Sequence, residues 1–318
     1  MKFIAFGESF FWQLGNEPTT NVKSPTVTAF AKTSFDEGTD LSNVRDIQLG
    51  SKFSAVITAD SGKVYICGCL AGVVYPKLAR VEIRYPLKCL TIAAGRKHML
   101  LLMEGSHVLS MGIGYFGQLG HGNDESFDAP ELVKQLEPTA LGSRVIKIAC
   151  GGSHSGVVTE DGRVFMFGLN KQGQCGVGKN NSSSSSSDNK ESIMEPRPVD
   201  FSGILPVDGA ALRNRMGRCD VKVSMLVCGR NHSAILSADG RVFAYGAASY
   251  GRLGLGTVRG DGGSSSGSSS SSSSAMNVKK TVNAPSEIPF FRNNAIPVHS
   301  IASGELLREG RWEGDALS

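Results

Sequence analysis

Three histidines are the first residues in this 318-residue sequence that could do chemistry: His98, His154 and His232. Each closes a Gly-x-x-His element, at Gly95–His98, Gly151–His154 and Gly229–His232. Three imidazoles could hold a metal ion or relay protons if they converged. Their identical surroundings argue against convergence. Residues at the same place in successive copies of one unit sit apart in space, so each is expected to make a structural hydrogen bond inside its own unit. Cys67 and Cys69 are too close together for a Cys-x-x-Cys ligand pair and have no matching second pair. Cys150 and Cys228 precede equivalent glycines and read as small buried apolar residues. No Gly-x-x-x-x-Gly-Lys-Ser/Thr phosphate loop is present, and no Ser-His-Asp or Cys-His set stands out above the repeat. The expectation is therefore no catalytic residue, no metal and no cofactor.

The elements that position these residues form the repeat. After each histidine comes an apolar run, then an acidic-glycine turn at Glu104–Gly105, Asp161–Gly162 and Asp239–Gly240. A second apolar run follows, such as Val164–Gly168, and then the loops Gly117–Gly120, Gly173–Gly176 and Gly251–Gly254. A weaker fourth copy has Gly50, Phe53, Asp60, Gly62 and Val64 to Gly68. Proline introduces the last run of each unit at Pro25, Pro130, Pro196 and Pro285, a residue tolerated at the start of an edge strand. Each unit thus reads as four short antiparallel strands, here lettered A to D, with Asp-Gly hairpins between B and C. The serine tracts Ser182–Ser187 and Ser268–Ser274 cannot bury a core. They make 179–192 and 260–277 flexible excursions between strands. Without them the period is about 50 to 60 residues, the range of propeller blades. The 39 glycines, with no collagen period, agree with many tight turns.

Composition sets the class. No apolar stretch approaches the roughly 20 residues needed to span a bilayer, and the apolar run at Met1–Phe6 is too short for a secretory signal. Seven scattered cysteines suit free thiols in a reducing compartment, so a cytoplasmic or nuclear location is expected. The net charge of +4 does not imply nucleic acid.

The Gly-x-x-His, Asp-Gly-x-Val and Gly-Gln-Leu-Gly elements, in this order, resemble the repeats of the regulator-of-chromosome-condensation (RCC) family. The resemblance covers essentially the whole chain. It implies an all-β fold, a single β-propeller over 1–318 built of four-stranded blades. About five units are recognisable, against seven blades in the family's founding member. Phe3–Gly7 and Trp12–Gly15 resemble strand C and its loop at the start of a short, tail-less family member that partners a histone-modifying oxygenase. Val298–Gly304 is expected as the strand A that completes this first blade across the chain ends. After Gly304, Leu307 stands at the histidine position and a charged run replaces strand B, which favours a chain truncated from seven blades over a smaller ring.

Strands so ordered send the A–B turns and C–D loops to one end of every blade. That end carries Lys52, Arg96, Lys97, Lys171, Arg230 and Arg252, with Glu8 as the opposing charge. The B–C turns carry Asp60, Glu104, Glu160, Asp161 and Asp239. A basic face and an acidic face are expected, the basic one docking an acidic protein surface. Function then reads as a non-catalytic protein-interaction scaffold, its partner a chromatin-linked or ubiquitin-linked enzyme. The resemblance also implies an alternative, guanine-nucleotide exchange on a Ran-like small GTPase. The founder's wedge and catalytic residues find no matching positions here, and its basic DNA-binding tail has no counterpart. Direct contact with nucleic acid or membrane is not expected.

Overall fold

The computed structural model describes residues 4–7, 22–27, 43–178, 192–204, 221–255 and 281–304. The chain opens with β1 (Ile4–Gly7) and β2 (Val22–Val27), an antiparallel pair that matches the expected strands C and D of a first unit. Blade I contains β3 (Val44–Leu49), β4 (Phe53–Thr58), β5 (Val64–Leu70) and β6 (Val73–Arg80). Blade II contains β7 (Cys89–Ala94), β8 (His98–Met103), β9 (Val108–Gly112) and β10 (Phe127–Leu132). Blade III contains β11 (Val145–Cys150), β12 (His154–Thr159), β13 (Val164–Leu169) and β14 (Ser192–Pro198). Blade IV contains β15 (Val223–Cys228), β16 (His232–Ser237), β17 (Val242–Ala247) and β18 (Thr281–Glu287). Two short helices, α1 (Pro138–Leu141) and α2 (Pro289–Asn293), follow the outer strands of blades II and IV. The first strands β3, β7, β11 and β15 touch in succession, so they surround a common axis. The expected prolines sit inside the outermost strands β2, β10, β14 and β18 rather than at their starts; in each of these sheets the register with the inner neighbour shifts. A lost ladder hydrogen bond is tolerated at such irregular edges.

Blades bury both faces, and the sequence of β8 shows how. Met99, Leu101 and Met103 pack into the core shared with blade I, whereas Leu100 and Leu102 join the core shared with blades III and IV. A strand sandwiched between two neighbours must be apolar on both sides, so it loses the in-out alternation of a half-exposed strand.

The histidines hold adjacent blades together, which corrects the expectation of a bond inside each blade. His98 Nε2 lies 2.8 Å from Ser155 Oγ of blade III, and His154 Nε2 lies 2.9 Å from Ser233 Oγ of blade IV. The serine hydroxyls donate to Gln118 O and Gln174 O, both at 2.8 Å, so each imidazole donates its Nε2–H and leaves Nδ1 bare. The glycine of the Gly-x-x-His element makes room for the ring. A Cβ at Gly95 or Gly151 would lie 2.4 Å from the imidazole Cε1.

The joint between blades I and II lacks this relay in all three parts. Phe53 replaces the histidine, Met99 replaces the serine, and both are fully buried. Blade I also has no Gly-Gln-Leu-Gly loop: β5 turns into β6 through Ala71 and Gly72 alone, both at positive φ. Without the loop there is no carbonyl to receive a serine hydroxyl, and an apolar pair fills the gap.

At the far end, Val298–Gly304 lies beside β15 but forms no strand, contrary to expectation. Among the described residues no second strand pairs with it, and pairing is what defines a strand. Ser303 Oγ still reaches His232 Nε2, at 3.0 Å. The expected serine-rich excursions and the charged run after Gly304 lie outside the described residues, except Ser192, which opens β14.

Two outcomes follow. Phe53→His places an imidazole where no hydroxyl or carbonyl can meet it, and is expected to destabilise the fold by about 3 kcal/mol in urea unfolding. Burial lowers the pKa of His98 to about 4 and of His154 to about 3, the neighbouring His98 and His232 adding to the shift at His154. In the unfolded chain both titrate near 6.5, so below that pH the unfolded state binds more protons and stability falls as pH falls. The slope is about 1.4 kcal/mol per pH unit for each histidine. Unfolding free energies at pH 7, 6 and 5 should show it, and His154→Gln should remove one histidine's share. A flat profile would contradict the relay.

Candidate interaction face

The A–B turns and C–D loops share one end of the blades because backbone hydrogen bonds tie them together. Within blades, Cys69 N donates to Lys52 O, Ile113 N to Lys97 O, Leu169 N to Ser153 O and Ala247 N to Asn231 O, at 2.7–2.9 Å. Between blades, Arg96 N donates to Gly151 O at 3.2 Å and Gly152 N to Gly229 O at 3.1 Å. The turns of blades II, III and IV therefore form a continuous rim. It surrounds the mouth of an axial cleft of about 450 Å³, lined by the inner strands of all four blades and by Ile301–Ser303.

All six basic residues singled out from the sequence lie at this end, on A–B turns or C–D loops. Arg96, Lys97 and Lys171 are exposed; Lys52, Arg230 and Arg252 are half-buried. Arg96 also lines the cleft mouth. Arg252 donates from Nε to Ser249 O at 2.9 Å, and its guanidinium lies 5.8 Å from the ring centre of Tyr250. Glu8 lies outside the described residues.

The opposite end is less acidic than the B–C turns suggest, because most of their carboxylates are engaged locally. Asp161 pairs with Arg163 Nε at 2.6 Å and Asp239 with Arg241 Nε at 2.8 Å. Each also accepts the hydroxyl of the residue two before it, Thr159 or Ser237. Burial raises the pKa of both carboxyls, but these hydrogen bonds outweigh it and hold them below the usual carboxylate range. Asp60 accepts from Asn43 Nδ2 at 2.7 Å. At Asp161 and Asp239 the arginine two residues later therefore neutralises the turn, a pairing that the sequence spacing alone did not reveal.

Sequence reasoning missed the aromatic residues of the same basic end. Tyr115 is 64% exposed, Phe116 40% and Tyr250 82%, all on C–D loops. A signal was present: these loops carry aromatics between glycines where blade III has Lys171 and Gln172. Arginine and tyrosine together are the side chains that most often dominate binding energy at protein interfaces.

The histidines do not converge, each being tied to a serine of its neighbour, and no group of three or more metal-ligating side chains occurs among the described residues. The six described cysteines are free thiols. Burial pushes the Cys89 thiol up to about 12 and raises Cys175 well above its ordinary value, so neither is a thiolate nucleophile. No helix among the described residues is long and apolar enough to cross a membrane.

A family model for the regulator of chromosome condensation (RCC1) repeat matches residues 106–158, 161–236 and 239–306, more than half of the chain. The chain belongs to the RCC1 repeat family. A second RCC1 repeat model matches 145–174 and 223–252. The matched repeats straddle the blades: 106–158 contains strands C and D of blade II with A and B of blade III. The repeats 106–158 and 161–236 thus each link two blades covalently. Human HERC6, described as a probable E3 ubiquitin-protein ligase, is 34% identical over 167 residues, 52% of this chain and 14% of that protein. Mouse RCC1 domain-containing protein 1 is 29% identical over 179 residues, 53% of this chain and 46% of its own length. The chain spans less than half the length of either relative. The solved structure of yeast RCC1 (Prp20) bound to Kap60 superimposes with a TM-score of 0.68 at 20% identity, covering 96% of this chain and 62% of that one. A second structure of Saccharomyces cerevisiae Prp20p, described with its binding to Gsp1p and histones, gives 0.58 at 21% identity, over 82% and 54%. At this identity the likeness shows the fold, an RCC1-type β-propeller.

Proposed function

We propose that this RCC1-family propeller is a non-catalytic interaction scaffold whose A–B end docks an acidic protein surface in the cytoplasm or nucleus. The observation that carries the reading is the gathering of Arg96, Lys97, Lys171, Arg230 and Arg252 with three exposed aromatics around one end of the blades. Nothing in the hairpin geometry of those turns requires a cation. A positive patch of this kind speeds encounter with a negative partner and orients it. A chromatin-linked or ubiquitin-linked enzyme fits as partner, in keeping with the relatives' descriptions. The triple change Arg96→Glu, Lys97→Glu, Arg230→Glu is expected to slow association with an acidic partner at least tenfold at low salt and to flatten its salt dependence. Unchanged association rates would overturn the reading.

A second reading is guanine-nucleotide exchange on a Ran-like small GTPase, favoured by the fold shared with Prp20p and that protein's described binding to Gsp1p. Exchange is catalysis by differential binding, since the factor stabilises the nucleotide-free GTPase and so lowers the barrier to GDP release. Its test is release of a fluorescent GDP analogue from a Ran-type GTPase with and without this protein. Acceleration by orders of magnitude would establish exchange activity. Release at the intrinsic rate, with the propeller shown folded by a cooperative thermal transition, would exclude it for that GTPase.

A further inference from the structure

The C–D loop of blade IV departs from its two counterparts in a way that weakens the fold and improves a surface. In blades II and III the second residue of the Gly-Gln element turns inward: Gln118 and Gln174 are buried, and their Oε1 atoms accept from Phe116 N at 2.9 Å and Gln172 N at 2.8 Å. The turns then close through Gly117 N to Gly114 O and Gly173 N to Asn170 O. In blade IV the equivalent residue is Arg252, which has no acceptor atom to offer the backbone. The turn closes one residue later, with Arg252 N approaching Ser249 O at 3.5 Å, a weak contact. Tyr250 is left in the left-handed region at φ 60°, ψ 25°, a conformation that costs a non-glycine residue on the order of 1 kcal/mol. Phe116 and Gln172, at the same place in their loops, do not have positive φ. The outcome is an aromatic ring 82% exposed at the loop tip with the Arg252 guanidinium beside it.

We infer that the Tyr250–Arg252 pair is the anchor of the docking face, taking an acidic segment of the partner that also carries an apolar side chain. This rests on the docking face proposed above and names what it recognises. The phenol ring offers apolar area with few rotatable bonds, and the guanidinium forks onto a carboxylate one or two residues away. Arg96, Lys97, Lys171 and Arg230 on the same end supply the surrounding positive field that a segment of this charge would follow. Of the three Gly-Gln-type loops of blades II, III and IV, this one alone gives up the inward glutamine, and both departures improve exposure of groups suited to binding.

The experiment uses the full chain and three fluorescein-labelled dodecapeptides: alternating Glu and Leu, alternating Glu and Gly, and alternating Lys and Leu. Anisotropy titrations at low salt are expected to rank Glu-Leu above Glu-Gly, with Lys-Leu not binding. Arg252→Gln restores the inward acceptor and Tyr250→Gly removes the left-handed strain, so each is expected to raise Tm by about 2 °C. Despite that gain, Tyr250→Gly should weaken Glu-Leu at least fivefold with little effect on Glu-Gly, and Arg252→Gln should weaken both acidic peptides. If both variants bind Glu-Leu as the parent does while the Arg96, Lys97 and Arg230 reversal abolishes binding, the anchor falls and the docking face stands. If the parent binds no acidic peptide, the docking face falls with it. A lowered Tm in both variants would overturn the strained-loop argument itself.

Discussion

Everything in this fold depends on the fact that one blade cannot bury itself. Strands such as His98–Met103 and Val164–Leu169 are apolar on both faces, so each sheet needs a neighbour on either side. That need brings polar backbone ends together at the inter-blade seam, where a bare apolar contact would strand loop carbonyls away from water. The His–Ser–carbonyl relay resolves the conflict: an imidazole from one blade meets a serine from the next, whose hydroxyl satisfies the first blade's own loop. The relay is neutral only while Nδ1 stays bare, so it couples assembly of the seam to protonation.

The seam between blades I and II shows that the three parts form one unit. Where the Gly-Gln-Leu-Gly loop is absent, neither the histidine nor the serine remains, and Phe53 with Met99 closes the joint. Keeping only one polar member would leave a buried group without a partner, which is worse than an apolar core. The loop therefore does more than connect strands C and D. Gly120 and Gly176 lie against Phe167 and Tyr245 of the following blades, so each loop packs onto its neighbour. The phase of the matched repeats 106–158 and 161–236, which each straddle two blades, works in the same direction: covalent continuity and side-chain packing both cross the seam.

Loop stability and side-chain exposure compete at the ends of the blades. Positions that tuck inward in one copy of the loop turn outward in another, as the exchange of Gln118 and Gln174 for Arg252 illustrates. Repeats make such exchanges visible, because sister loops in the same molecule display the fully satisfied arrangement. The B–C turns show the reverse case, in which Asp161 and Asp239 are charged yet serve structure through Arg163 and Arg241.

The sequence alone determined the blade: its four strands, the Asp-Gly hairpins and the glycines that admit an imidazole are local, set by spacing and by backbone conformation within a few residues. It also determined that the six cations share one end, because strand order dictates which turns emerge together. What it did not carry was any relation across a seam. The partner of His154 lies 79 residues away in Ser233, and only packing brings them together. The same holds for Val298–Gly304, whose composition suits a strand although strand formation depends on a partner elsewhere. Nor could composition distinguish an inward Gln from an outward Arg, or a neutralised Asp from an exposed one. Those outcomes depend on which acceptors and ions lie within about 3 Å, and that is decided only once the blades have packed.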